Sequence, residues 1–146
     1  MFYDRIWNDL LSKVCSVFVL VVKQVVQHFF LKKINTHGSK VIPAEALHCN
    51  TSYLTAVAND YSYDEIYARL VNGIANKGDV LIGLSTSGNS KNIVKAFEVA
   101  RRKGVITIGF TGESGGVLKG LSAYLFNVPS GDTPRIQESH ILLEIG

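Results

Sequence analysis

The sequence predicts an α/β protein, a three-layer αβα sandwich around a parallel, doubly wound sheet. From Gly78 onward short apolar runs alternate with helical patterns, and each boundary is marked by Gly, Ser or Asn. The apolar runs are continuous rather than alternating, which suits strands buried on both faces beneath helices. With 146 residues, 47% of them hydrophobic and 18% charged, the chain has room for one domain and one core and lacks the polar make-up of a disordered segment.

Val14 to Val22 (VCSVFVLVV) is an almost unbroken apolar run. A buried strand is preferred here to a signal sequence or membrane anchor. Asp4 and Asp9 precede the run, no small-residue cleavage site follows it, and Lys23 ends it far short of the roughly 20 residues of a membrane span. Ala44 to His48 reads as a short strand. Ser62 with Glu65 three residues later forms a capping box, opening a helix that carries Ile66, Leu70, Val71 and Ile74. Asp79 to Leu84 is a buried strand, and Ser90 to Lys103 a helix with Ile93, Val94, Phe97 and Ala100 on one face and Gly104 as its stop. Val105 to Phe110 is the next strand. After a glycine-rich turn at Thr111 to Gly116 come a short helix, a strand at Tyr124 to Val128, and a helix capped by Thr133 with Pro134 at its first position. There is no internal repeat, linker or low-complexity tract.

The formal charge of +3 is uneven, since residues 1–40 hold six Lys or Arg against two Asp. Lys32 and Lys33 come nearest to a basic stripe interleaved with aromatics, and direct nucleic-acid binding is not expected. Cys15 and Cys49 lie in apolar or strand-like text without CxxC spacing, which argues against a disulfide framework or zinc knuckle and fits a reducing cytoplasm.

In parallel sheets of this kind ligands bind beyond the carboxyl ends of the strands. The text after Leu84 is Ser85-Thr86-Ser87-Gly88-Asn89-Ser90, and a helix begins there. Four hydroxyls, a glycine that permits close approach, and a helix N-terminus suit an anion, for which phosphate is the natural occupant. A plain helix cap would need one hydroxyl only. Gly83 to Ser90 is one residue away from a P-loop, but Asn89 stands where that motif needs a lysine to reach the outer phosphates, so a phosphate monoester fits better than a nucleoside triphosphate.

Leu81 to Ser90, together with Leu54-Thr55-Ala56-Val57-Ala58-Asn59-Asp60-Tyr61, Thr111-Gly112-Glu113-Ser114-Gly115-Gly116 and Asp132-Thr133-Pro134-Arg135-Ile136-Gln137-Glu138-Ser139-His140, resembles the sugar isomerase (SIS) domain family. Within that family it is most similar to the phosphoheptose isomerases, relatives of the initiator-associating protein of bacterial replication control. The likeness runs from about Pro43 to Leu143 with the motifs in the family's order. It implies a cytoplasmic homotetramer that binds a sugar phosphate and converts sedoheptulose 7-phosphate to D-glycero-D-manno-heptose 7-phosphate for lipopolysaccharide. By the resemblance Ser85, Thr86, Ser87 and Ser90 hold the phosphate, Asn59 and Asp60 touch the sugar, and Gln137 contacts both substrate and zinc. On spacing alone Asn59 and Asp60 read as an ordinary turn pair before Ser62.

The resemblance also exposes departures. Where the family has a glycine-rich turn of the form CGNGGSA ahead of Gln27-His28-Phe29, this chain has Val17 to Lys23 with no glycine. The resemblance implies zinc ligands at His28 and Gln137, but Lys32 stands at the position of the family's Glu and Ile145 at that of its His, leaving the site incomplete. The resemblance assigns to those two missing groups the base and acid that aldose–ketose isomerisation requires. Lys32 beside Lys33 reads as a solvated lysine, and His140 as a packing or surface histidine. The chain is expected to be one SIS domain over residues 1–146, shortened at both ends, with an atypical segment at 15–42. Of two origins for that segment, a non-catalytic family member or an altered reading frame, the second is preferred, because Gln27-His28-Phe29 survives inside Val-rich text between well-matched blocks. Beside the isomerase stand two alternatives, an adaptor for the replication initiator and a sugar-phosphate-sensing regulatory domain.

Overall fold

The structure, a computed structural model, describes residues 17–20 and 43–145. Five strands, β1 (Val17–Leu20), β2 (Ala44–Ala46), β3 (Val80–Leu84), β4 (Ile106–Thr111) and β5 (Tyr124–Asn127), form one sheet in the order β2-β1-β3-β4-β5. Every pairing is parallel, as the continuous apolar runs predict. The chain winds from β1 outward to β2 and then from β3 outward to β5, so the direction of winding reverses between β1 and β3. Strand β1 falls inside the predicted run 14–22, the rest of which lies outside the described residues.

The helices are α1 (Thr51–Asp60), α2 (Ile66–Ile74), α3 (Lys91–Lys103), α4 (Leu118–Leu121) and α5 (Thr133–Ile145). All of β3 is buried, and alternation along it divides the core. Leu81 and Gly83 face α3, whose Ile93, Ala96, Phe97 and Ala100 are completely buried against them and against Val71 of α2. On the opposite face Phe110 stacks on Phe126 at 5.0 Å and meets the ring of His140 of α5 edge-on at 5.8 Å. Helices therefore lie on both faces, and the three predicted layers are present. None of the described helices is long and apolar enough to cross a membrane.

Gly83 and Gly109 are register partners in β3 and β4. A Cβ on Gly83 would lie 2.5 Å from the Phe97 ring, and one on Gly109 2.5 Å from Ser122 Oγ, so the missing side chains are what let α3 and the end of α4 seat on the sheet. Helix α3 ends as predicted: Gly104 is left-handed at φ +73°, and Val105 N and Gly104 N donate to the carbonyls of Ala100 and Arg101. Its Lys103 ammonium in turn donates to the Asn72 carbonyl at the end of α2.

Two local expectations, the Ser62 capping box and the Thr133 cap, are corrected. Ser62 does not form a capping box: its side chain caps nothing, a 3-10 turn at Tyr63–Glu65 precedes α2, and the Glu65 carboxylate pairs with Lys95 of α3. Tertiary charge pairing has displaced the local cap. Ile74 is 39% exposed because α2 ends there, and Ala75 fills the core beside it. Helix α5 receives its first hydrogen bond at the Asp132 carbonyl, from Ile136 N at 3.0 Å, so Thr133 is its first residue and Pro134 its second. Helix α1 is capped by Asn50, whose side chain accepts from Tyr53 N at 3.0 Å.

Gly83→Ala is expected to cost about 1–3 kcal/mol through overpacking. Gly73→Ala, in α2 with open space beside it, should instead gain about 0.5–1 kcal/mol. Urea unfolding of both variants checks the pair, and the prediction fails if Gly83→Ala matches the unaltered chain.

His140 is 3% exposed, and burial holds its pKa below the ordinary value, opposed in part by its bond to the Thr111 carbonyl. His48, beyond β2, has both ring nitrogens buried with no partner among the described residues, and burial lowers its pKa too. The unfolded chain therefore binds more protons once pH falls below about 6.5. The neutral imidazoles leave stability intact above that pH, and it declines as pH drops from there through the folded-state values. His140→Gln should flatten part of this decline, read as unfolding free energy against pH; an unchanged slope would show that His140 does not contribute.

Candidate functional site

Beyond Leu84 the ladder continues for one residue, with Ser85 N donating to the Phe110 carbonyl at 2.9 Å. The chain then turns: Gly88 N donates to Ser85 O at 3.0 Å, and Gly88 takes φ +68°, a conformation that favours glycine. Ser90 follows at the N-cap of α3, its carbonyl accepting from Val94 N at 2.9 Å. The Ser90 hydroxyl caps no backbone group. It lies instead 2.8 Å from the hydroxyl of the buried Ser85, across the loop. Ser87 Oγ accepts from Asn89 N at 3.2 Å, Ser87 is exposed and Thr86 half-buried. Lys91 is the exposed first residue of α3. The fold thus gathers the hydroxyl-bearing residues Ser85, Thr86, Ser87 and Ser90 at one helix start, where backbone N–H groups and the helix dipole favour an anion.

The glycine-rich turn after β4 forms the adjoining wall. Gly112 N donates to the Thr86 carbonyl at 2.9 Å, and Leu118 N to that of Gly88 at 3.1 Å. Between them Val117 N donates to Asn89 Oδ1 at 3.0 Å. A Cβ on Gly88 would fall on the Gly115 carbonyl, and one on Gly116 would lie 2.5 Å from Ser87 O, so the two loops meet backbone to backbone. The loop after β5 closes on the same turn through Glu113 N to Ser130 O at 3.2 Å. A Cβ on Gly112 would meet both Thr86 O, at 2.7 Å, and Ile136 Cδ1 of α5, at 2.6 Å. Half-buried Gln137 follows Ile136, which puts it in the first turns of the helix that borders the loop.

Other predicted site residues are not drawn in. Asn59 and Asp60 end α1, are exposed, and bond to each other through Asn59 Nδ2 and Asp60 Oδ1 at 3.1 Å; no described hydrogen bond joins them to the Ser85–Ser90 loop. His28 and Lys32 lie outside the described residues, as does the side chain of Ile145 at the end of α5. His140 is a packing histidine, its Nε2 3.1 Å from the Thr111 carbonyl, in agreement with the reading preferred from its spacing. Among the described residues no three His, Cys, Asp or Glu side chains are grouped so as to hold a metal ion. Sequence reasoning missed the structural use of Asn89, Gly112 and Gly116. The signal available for it was the clustering of glycines after β4, whose function shows only when β3 and β4 are paired.

A family model for the SIS domain matches residues 23–112, starting just past the glycine-free run that ends at Val22. The phosphoheptose isomerase of Mycobacterium tuberculosis is 57% identical over 99 residues, and that of Burkholderia pseudomallei 53% over 102. These alignments cover 68% and 70% of this chain but 50% and 52% of the relatives, so the chain spans about half the length of the curated relatives it matches. Solved structures of phosphoheptose isomerases from Neisseria gonorrhoeae and Francisella tularensis align with TM-scores of 0.80 and 0.82 at 34% and 30% identity. They take in 93% and 97% of this chain and 78% and 80% of theirs. With its parallel sheet, its Ser85–Ser90 loop and these likenesses, the chain belongs to the SIS-domain family, in the phosphoheptose isomerase branch.

Proposed function

We propose that this chain is a phosphosugar-binding SIS domain over residues 1–146 that takes sedoheptulose 7-phosphate, the ketose of the phosphoheptose isomerase reaction. The observation that carries the reading is the Ser85–Ser90 hydroxyl pair at 2.8 Å, turned into the loop while the start of α3 goes without a side-chain cap. In this reading Ser85, Thr86, Ser87 and Ser90 donate to the phosphate, Asn59 and Asp60 meet the sugar, and Gln137 contacts its reacting end. Lys91 adds positive charge at the helix start. The setting is a cytoplasmic homotetramer serving lipopolysaccharide heptose synthesis.

Zinc does not fit the residues present. Of the family's ligand positions, Lys32 offers an ammonium and Ile145 a hydrocarbon, neither of which binds a cation. His140 on α5 cannot substitute, because its Nε2 already faces the Thr111 carbonyl and its ring is buried against Phe110. Binding through hydroxyls and backbone N–H groups needs no metal. Isomerisation, by contrast, moves a proton between neighbouring carbons and needs a base at one and an acid at the carbonyl oxygen. With Lys32 and Ile145 at those positions, the chain binds its sugar phosphate more readily than it turns it over.

Thermal melts with sedoheptulose 7-phosphate, and with ATP as control, test the reading. At a hundred times its Kd the sugar phosphate should add about 2.7 kcal/mol of stability. Ser85→Ala or Ser90→Ala should weaken binding at least about tenfold, each removing a hydrogen bond to a charged group. Turnover followed by NMR should stay about a hundredfold or more below that of an isomerase with both groups in place. An equal shift with ATP, or none with the sugar phosphate, would refute the proposed ligand.

A further inference from the structure

Asn89 has no role in the ligand contacts proposed above, yet its side-chain oxygen is engaged. Its Oδ1 accepts from Val117 N at 3.0 Å, bridging the loop after β3 to the turn after β4. The flanking bridges, Gly112 N to Thr86 O and Leu118 N to Gly88 O, run main chain to main chain. The Asn89 bridge depends on a side chain. Through its own N–H the same residue donates to Ser87 Oγ at 3.2 Å, and it directly precedes Ser90. Gly116 makes room for the amide: a Cβ there would lie 2.7 Å from Asn89 Oδ1.

The choice of residue follows from donor chemistry. Val117 N–H needs an acceptor, which the ammonium of a P-loop lysine is not. Aspartate would accept, but it would bring a negative charge to a loop suited to an anion. Asparagine accepts without charge.

We propose that Asn89 is a positioning residue, which through the Val117 N–H holds Ser87 and Ser90 at the spacing an anion requires and does not itself touch the ligand. The proposal rests on the phosphosugar reading of the loop. A short loop that turns at Gly88 has other backbone conformations open to it, and the bridge removes them before the ligand arrives.

A double-mutant cycle separates positioning from direct contact. Val117 has φ −64° and is 53% exposed, so Val117→Pro removes the N–H at a backbone angle proline shares. Titration calorimetry with inorganic phosphate and with sedoheptulose 7-phosphate should show Asn89→Ala binding about five- to tenfold more weakly, the worth of one hydrogen bond. Val117→Pro should lose a similar factor, and the double variant no more than either alone. Multiplying losses would mean that Asn89 contacts the anion directly and would overturn the proposal. Should proline after Gly116 prevent folding, amide exchange decides. In Asn89→Ala the Val117 N–H should exchange several-fold faster, and an unchanged rate overturns the proposal. If the unaltered chain binds neither phosphate nor sugar phosphate, the phosphosugar reading itself has failed. If it binds both and the cycle is multiplicative, only the role of Asn89 has.

Discussion

Two loops can lie backbone against backbone only where no Cβ intervenes, and the site depends on that condition holding at Gly88, Gly112 and Gly116 together. The loop after β3 presents its carbonyls at Thr86 and Gly88, and the turn after β4 presents N–H groups at Gly112 and Leu118 to receive them. These bonds extend the β3–β4 pairing past the end of the sheet, where the ladder alone would leave main-chain groups to water. The gain is rigidity at the point where a strand becomes a helix. Ser85 and Ser90 then stand at opposite ends of a clamped turn, with their hydroxyls 2.8 Å apart.

That clamp is anchored below by the core. Gly83 removes a side chain from β3, so Phe97 and Ile93 of α3 press directly on the sheet, and its register partner Gly109 makes the same room for Ser122 at the end of α4. Helix α3 cannot slide along its axis without losing this fit, and its N-terminus is therefore fixed relative to the loop that it terminates. Lys95 strengthens the arrangement by pairing with Glu65, which ties α3 to the 3-10 turn leading into α2. From buried glycine to helix start to hydroxyl pair, one line of packing delivers the site geometry.

The strands of the central sheet were legible in sequence because β3 and β4 are buried on both faces and so read as continuous apolar runs ended by glycine or hydroxyl residues. Gly104 was legible as a helix stop for a similarly local reason. What escaped was nonlocal. Glu65 looked like a capping partner for Ser62 until Lys95 claimed its carboxylate, and Asn89 looked like a lysine lost from a P-loop until Val117 N–H supplied its purpose. The Ser90 hydroxyl could be read as a cap or as a ligand donor from sequence alone; only its orientation toward Ser85 distinguishes them. Asn59 and Asp60 were indicated by resemblance alone, and on α1 they remain exposed and bonded to each other.

The same geometry separates grip from chemistry. Everything that clamps the loop comes from residues 80–140, a stretch in which the pairing of β3, β4 and β5 is continuous. In the proposed reading the groups that an enediol mechanism requires belong to other positions, those of Lys32 and Ile145. Phosphate contacts distant from the reacting carbons hold substrate and transition state alike, so by themselves they lower Kd without lowering the chemical barrier. A lysine at position 32 could accept a proton only as the neutral amine, which requires burial to drive its pKa far down, and a hydrocarbon at 145 could not donate one at all. In the proposed reading a chain built in this way keeps the recognition of a phosphosugar isomerase, and its affinity for the phosphate end is free of any requirement that the proton transfer still work.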